Sequence, residues 1–157
     1  MKVLLTTSRK PSKKTRSLAK ALARFMNWRY VNRGKMNMED IFEMCEDKLA
    51  IIKEIKGNPS ILEIFDRKRN LLLRMRFNVS NIEKVRIDDS PVVFVGKVPF
   101  DPLILNAIPQ DRAGLKISRK IETPKRIYVR KRNGMELEFY FRDVMVFKMK
   151  VRSLHAI

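Results

Sequence analysis

Arg67-Lys68-Arg69-Asn70 recurs in this chain as Arg130-Lys131-Arg132-Asn133, each time between two apolar runs. After the first copy, Leu71, Leu73, Met75, Phe77 and Val79 alternate with Arg74, Arg76 and Asn78. A period of two is satisfied by a strand with one face on a core. After the second copy, Asn133-Gly134 is a strong hairpin signal, and Leu137, Phe139 and Phe141 alternate beyond it. Pro59 and Pro124 punctuate the gaps upstream, and the short runs 28–31 and 92–95 stand at nearly the same offset. This order predicts an α/β fold of two similar halves, 1–80 and 81–157, each with a mixed sheet. Residues 28–79 and 92–141 are then expected to superpose. A chain of 157 residues holds such a pair within a single domain.

The remaining elements follow from local signals. Residues 2–7 read as a buried strand, and residues 8–12 as a turn closed by Pro11. Ser12 is an N-cap for a helix over 13–26, with Leu18, Ala19, Leu22, Ala23 and Met26 on its apolar face. Asn37 caps a second helix whose first turn carries Glu39 and Asp40, where the dipole favours anions. Its core face is Met38, Ile41, Phe42 and Cys45. Strands are expected at 28–31, 49–55, 61–65, 71–79, 92–95, 115–121 and 126–131, with residues 57–59 as a stop. Residues 101–108 read as a short helix, and Phe147, Met149 and Val151 mark a last strand.

Charge narrows the partner. The first 36 residues hold eleven basic side chains and no acidic one, within a chain of formal charge +18. Lys13, Arg16, Lys20 and Arg24 fall three or four apart, as a second stripe on the first helix. Around its N-terminus stand Ser8, Arg9, Lys10, Lys13 and Lys14, where free N–H groups favour a phosphate. The turn at Arg33-Gly34-Lys35 adds two more cations. A polyanion is the natural partner of such a surface, and nucleic acid is the commonest. Residues 112–132 form a second basic segment, with nine basic side chains against Glu122 alone.

Other classes lack their parts. No run approaches the roughly 18 apolar residues of a spanning helix. Cys45 is the single cysteine and His155 the single histidine, so neither a disulfide framework nor a histidine relay is expected. Asp88 and Asp89 are adjacent and read as turn residues. No enzyme, cofactor, metal or small-molecule substrate is expected.

The string Leu5-Thr6-Thr7-Ser8-Arg9-Lys10-Pro11-Ser12, with Thr15-Arg16-Ser17, Leu18-Ala19 and Tyr30-Val31-Asn32-Arg33-Gly34-Lys35, resembles the Brix-domain family of ribosome-biogenesis factors, above all its small archaeal members. Lys56-Gly57-Asn58-Pro59 fits the same pattern. The resemblance implies two halves that each resemble the anticodon-binding domain of class II aminoacyl-tRNA synthetases. It further implies precursor rRNA as the ligand, ribosome-assembly proteins as partners, and help in rRNA processing or subunit assembly without catalysis. Such a protein is cytoplasmic in an archaeon and nucleolar in a eukaryote. Two alternatives are a tRNA-related accessory subunit of an RNA-processing enzyme and a structural ribosomal protein.

Overall fold

The computed structural model describes residues 2–157. Strand β1 (Val3–Thr7) is buried along its whole length, as its apolar run requires. Ser12 caps α1 (Lys13–Met26), its hydroxyl accepting the Thr15 N–H at 3.2 Å. The helix stops where Asn27 enters the left-handed region at φ 61° and its N–H bonds the Ala23 carbonyl. Strand β2 (Arg29–Tyr30) is followed by α2 (Met38–Met44), which opens on a reciprocal capping box between Asn37 and Asp40.

Strands β3 (Lys48–Ile55), β4 (Asn58–Asp66) and β5 (Leu71–Val79) form an antiparallel meander. The expected stop at 57–59 is tighter than the sequence suggests. Lys56 and Gly57, at φ 51° and 76°, make the turn, so Pro59 already lies within β4 beside a register shift.

The second half holds β6 (Val92–Val95), a single 3-10 turn at Pro102–Leu105, α3 (Arg112–Lys120), β7 (Lys125–Lys131), β8 (Met135–Phe141) and β9 (Val144–Ala156). Helix α3 replaces the strand expected at 115–121. Leu115 and Ile117 alternate like a strand, yet each is 46% exposed, so no sheet face selects that period. The local signal that prevails is Asp111, whose carboxylate caps the helix by accepting the Gly114 N–H at 2.7 Å.

Among the described residues, all nine strands join one mixed sheet, in the order β2-β1-β3-β4-β5-β9-β8-β7-β6. Two separate sheets were the expectation; the antiparallel pairing of β5 with β9 fuses them. The residue matches also change. Strand β6 pairs parallel with β7, as β1 does with β3, so β6 answers to β1 and not to the run at 28–31. The two Arg-Lys-Arg-Asn strings fall in non-corresponding turns, β4–β5 and β7–β8. In the first, Asp66 accepts from the Asn70 N–H and side chain; in the second, Asn133 and Gly134 supply left-handed residues. The same string answers two different local needs.

A continuous core spans both halves. Helix α1 lies on one sheet face, and its Phe25 ring meets Phe139 edge-on at 5.2 Å, while Phe139 stacks on Phe147 at 4.3 Å. Helix α2 closes a smaller cluster of Leu4, Ile41, Cys45, Leu49 and Ile51.

Candidate nucleic-acid interface

Helix α1 presents Lys13, Lys14, Arg16, Lys20 and Arg24 to solvent because its opposite face, centred on Leu18, Leu22 and Phe25, is fully committed to the sheet. Arg9 and Lys10 are exposed on the preceding turn, where Lys10 takes φ 51°, and Ser8 is half-buried with its N–H bonded to the Ile52 carbonyl. Lys35 is exposed on the turn after β2. Among the described residues none of these eight cations forms an ion pair.

Several cations of the sheet differ in having carboxylate partners. Glu63, 1% exposed, holds Lys53 and Arg74, each at 2.6 Å. Burial of that carboxyl opposes ionisation, but the bonds and charges of Lys53 and Arg74 outweigh it and hold its pKa below the ordinary range. Glu138 pairs with Arg130 at 2.9 Å, and Glu136 lies within 4.0 Å of Arg132, Lys148 and Lys150. The sheet neutralises many of its cations; α1 leaves its own free.

Two expected site features lie elsewhere. Arg33 is 7% exposed: its Nη1 donates to the Thr7 carbonyl at 3.0 Å and its Nε to the Met36 carbonyl at 2.8 Å. Its guanidinium braces the turn instead of facing solvent. The start of α1 is no vacant phosphate cradle either, because Glu54 from β3 accepts the Ser12 N–H at 2.6 Å. Burial pushes the Glu54 carboxyl up, but hydrogen bonds from Thr15 and Ser12 prevail and hold it low. Sequence spacing does not reveal Glu54, since it reaches this position only through β1–β3 pairing.

The second basic segment divides. Lys125 is fully buried, its Nζ donating to Asn27 Oδ1 at 2.7 Å and to the Arg24 carbonyl at 3.3 Å, which ties β7 to the end of α1. Burial lowers its pKa against the pull of Asp88 and Asp89. Arg112, Lys116, Arg119 and Lys120 stay exposed on α3. Among the described residues no His, Cys, Asp or Glu cluster is suited to a metal, and no helix is long and apolar enough to cross a membrane.

No family model matches the chain. A probable Brix domain-containing ribosomal biogenesis protein of Archaeoglobus fulgidus is 50% identical over 151 residues, covering 96% of this chain and 95% of that protein. One of the same description from Methanosarcina mazei is 29% identical over 96% of this chain and 98% of its own length. The fold resembles the crystal structure of Mil, an archaeal Imp4-like protein, with a TM-score of 0.72 at 26% identity over 98% of this chain and 99% of that one. It also matches a probable ribosomal biogenesis protein from Aeropyrum pernix, with a TM-score of 0.65 at 18% identity over 99% and 96% of the two chains. The resemblance carried by residues 5–35 thus extends along nearly the whole length, and the chain belongs to the family of Brix domain-containing ribosomal biogenesis proteins.

Proposed function

We propose that the protein binds structured precursor rRNA through the basic face of α1 and the turn before it, and assists rRNA processing and subunit assembly without catalysis. The observation that carries this reading is the set of eight exposed cations on α1, the turn before it and the turn after β2 that form no ion pair among the described residues, set against the ion-paired Lys53, Arg74, Arg130, Lys148 and Lys150 of the sheet. Unpaired surface cations release condensed counterions from a nucleic acid, and that release drives binding. Arg9, Lys10, Lys13, Lys14, Arg16, Lys20, Arg24 and Lys35 meet phosphates; Ser8 and Arg33 support the turns that carry them. Assembly proteins are further partners, and the cytoplasm of an archaeal cell is the setting.

The two halves, 1–80 and 81–157, are on this reading a duplicated unit of the anticodon-binding kind. Its support is the repeated parallel–antiparallel–antiparallel pairing of β1-β3-β4-β5 and β6-β7-β8-β9. Crosslinking in cells followed by sequencing of the bound RNA tests the function. Enrichment of precursor rRNA is expected, and the purified protein should leave RNA and nucleoside triphosphates intact. Recovery of mature tRNA or mature rRNA alone would instead favour the accessory-subunit or ribosomal-protein reading.

A further inference from the structure

The exposed ridge of α1 stands between two open clefts. The first, about 420 Å³, is lined by Lys13, Arg16, Ser17, Lys20, Tyr30 and Asn32. The second, about 1170 Å³, shares Lys13, Ser17 and Lys20 and adds Lys14 and Arg24 on the helix side. Its other wall is the irregular segment 80–86, which brings Lys84 and Arg86 opposite the helix. That wall is fixed to β9: the Ser80 N–H bonds the Lys148 carbonyl at 2.9 Å, and the Glu83 N–H bonds the Val146 carbonyl at 2.8 Å. Ile82 and Val85 pack against the core below it. Six cations line this cleft against the single carboxylate of Glu83, and neither Lys84 nor Arg86 has an ion pair among the described residues.

The lining distinguishes kinds of RNA. Proteins that hold single strands stack the bases on aromatic rings. The second cleft has no aromatic side chain in its lining, and the first has only Tyr30. Such walls take a sugar–phosphate backbone and leave the bases alone. Two of them, one on each flank of a ridge, match the two backbones that border a double-helical groove. In A-form RNA the minor groove is wide and shallow enough to accept a ridge, whereas the major groove is deep and narrow.

We infer that the ligand of this surface is a double-helical RNA stem, with α1 laid along its minor groove, one backbone in each cleft, and Lys84 and Arg86 holding the backbone on the second-half side. The inference rests on the proposed RNA-binding reading and adds to it the strandedness of the ligand and two residues from outside α1.

The test measures affinity against salt for an RNA hairpin stem and for an unstructured RNA of equal length. Wild type, Arg16→Ala, the Lys84→Ala/Arg86→Ala double variant and Glu83→Gln are compared. The stem should bind more tightly, and its log–log salt slope should flatten by about 0.9 in Arg16→Ala and about 1.8 in the double variant. Glu83→Gln, which removes the one opposing charge, should tighten stem binding, a gain that a misfolded protein cannot show. Equal wild-type affinity for both RNAs, or a double variant indistinguishable from wild type on the stem, would overturn the inference while leaving RNA binding by α1 intact. Failure of the wild type to bind either RNA would overturn both.

Discussion

At the scale of single residues, carboxylates of the sheet decide which charges remain available. Glu54 supplies the anion that the start of α1 attracts, so it stabilises the helix from within the fold. Its folded pKa is depressed, so its contribution is present above the unfolded value of about 4.3 and is lost as pH falls through the folded value. Glu54→Ala should cost roughly 1 kcal/mol at neutral pH, the scale of a lost cap, and less at pH values where the wild-type carboxyl is itself protonated. Chemical denaturation at neutral and acid pH measures both; an equal cost at the two would show that the charge plays no part. The same scale sets the limit of what the sequence shows. Arg33 and Lys125 read as surface cations because the partners that draw them inward, the Thr7 carbonyl and Asn27, are 26 and 98 positions away.

At the scale of elements, legibility follows the range of the signal. Helix α1 is readable at both ends, because Ser12 and the apolar spacing to Met26 are local and agree. Strand β5 is readable because its alternation reports real burial of Leu73, Met75 and Phe77. Helix α3 misleads because its apolar residues are not buried and its alternation therefore carries no packing information. The capping Asp111 and the buried Gly114 hold it in place: a Cβ at Gly114 would lie 1.9 Å from the Pro109 carbonyl oxygen. Gly114→Ala should therefore displace or unfold α3 while leaving the sheet intact, because α3 shares little of the core. Hydrogen exchange followed by mass spectrometry reads this directly, with faster exchange confined to residues 111–121. Loss of protection across β7 and β8 as well would contradict it.

At the scale of the whole molecule, the pairing directions of β1-β3-β4-β5 recur in β6-β7-β8-β9, yet the sheet and core join them into one body. Phe25 of α1 packs on Phe139 and Phe147, and the Trp28 Nε1 donates to the Leu105 carbonyl at 3.1 Å. No local pattern predicts that fusion, since β5 and β9 meet across some seventy positions of chain. A separated fragment 1–80 would expose the Phe25 face of α1 and the free edge of β5. Losing the contacts of one such aromatic costs about 3–5 kcal/mol, comparable with the whole stability of a small domain. Neither 1–80 nor 81–157 should unfold cooperatively alone, and calorimetry on the two fragments checks this.

The central claim is that α1 binds RNA through cations with no internal partner. Its most direct test is the salt dependence of affinity for a precursor rRNA fragment. Two double variants are compared with wild type: Arg16→Ala/Lys20→Ala on α1, and Arg119→Ala/Lys120→Ala on α3, which removes equal charge from positions that are likewise exposed. For about eight phosphate contacts the wild-type log–log slope is roughly −7 on duplex and −5.5 on single strands. The α1 variant should weaken binding across RNA sequences and flatten that slope by about 1.5 to 2, whereas the α3 variant should leave it near the wild-type value. Equal losses in the two variants would mean that net charge alone drives binding, and would contradict a site on α1.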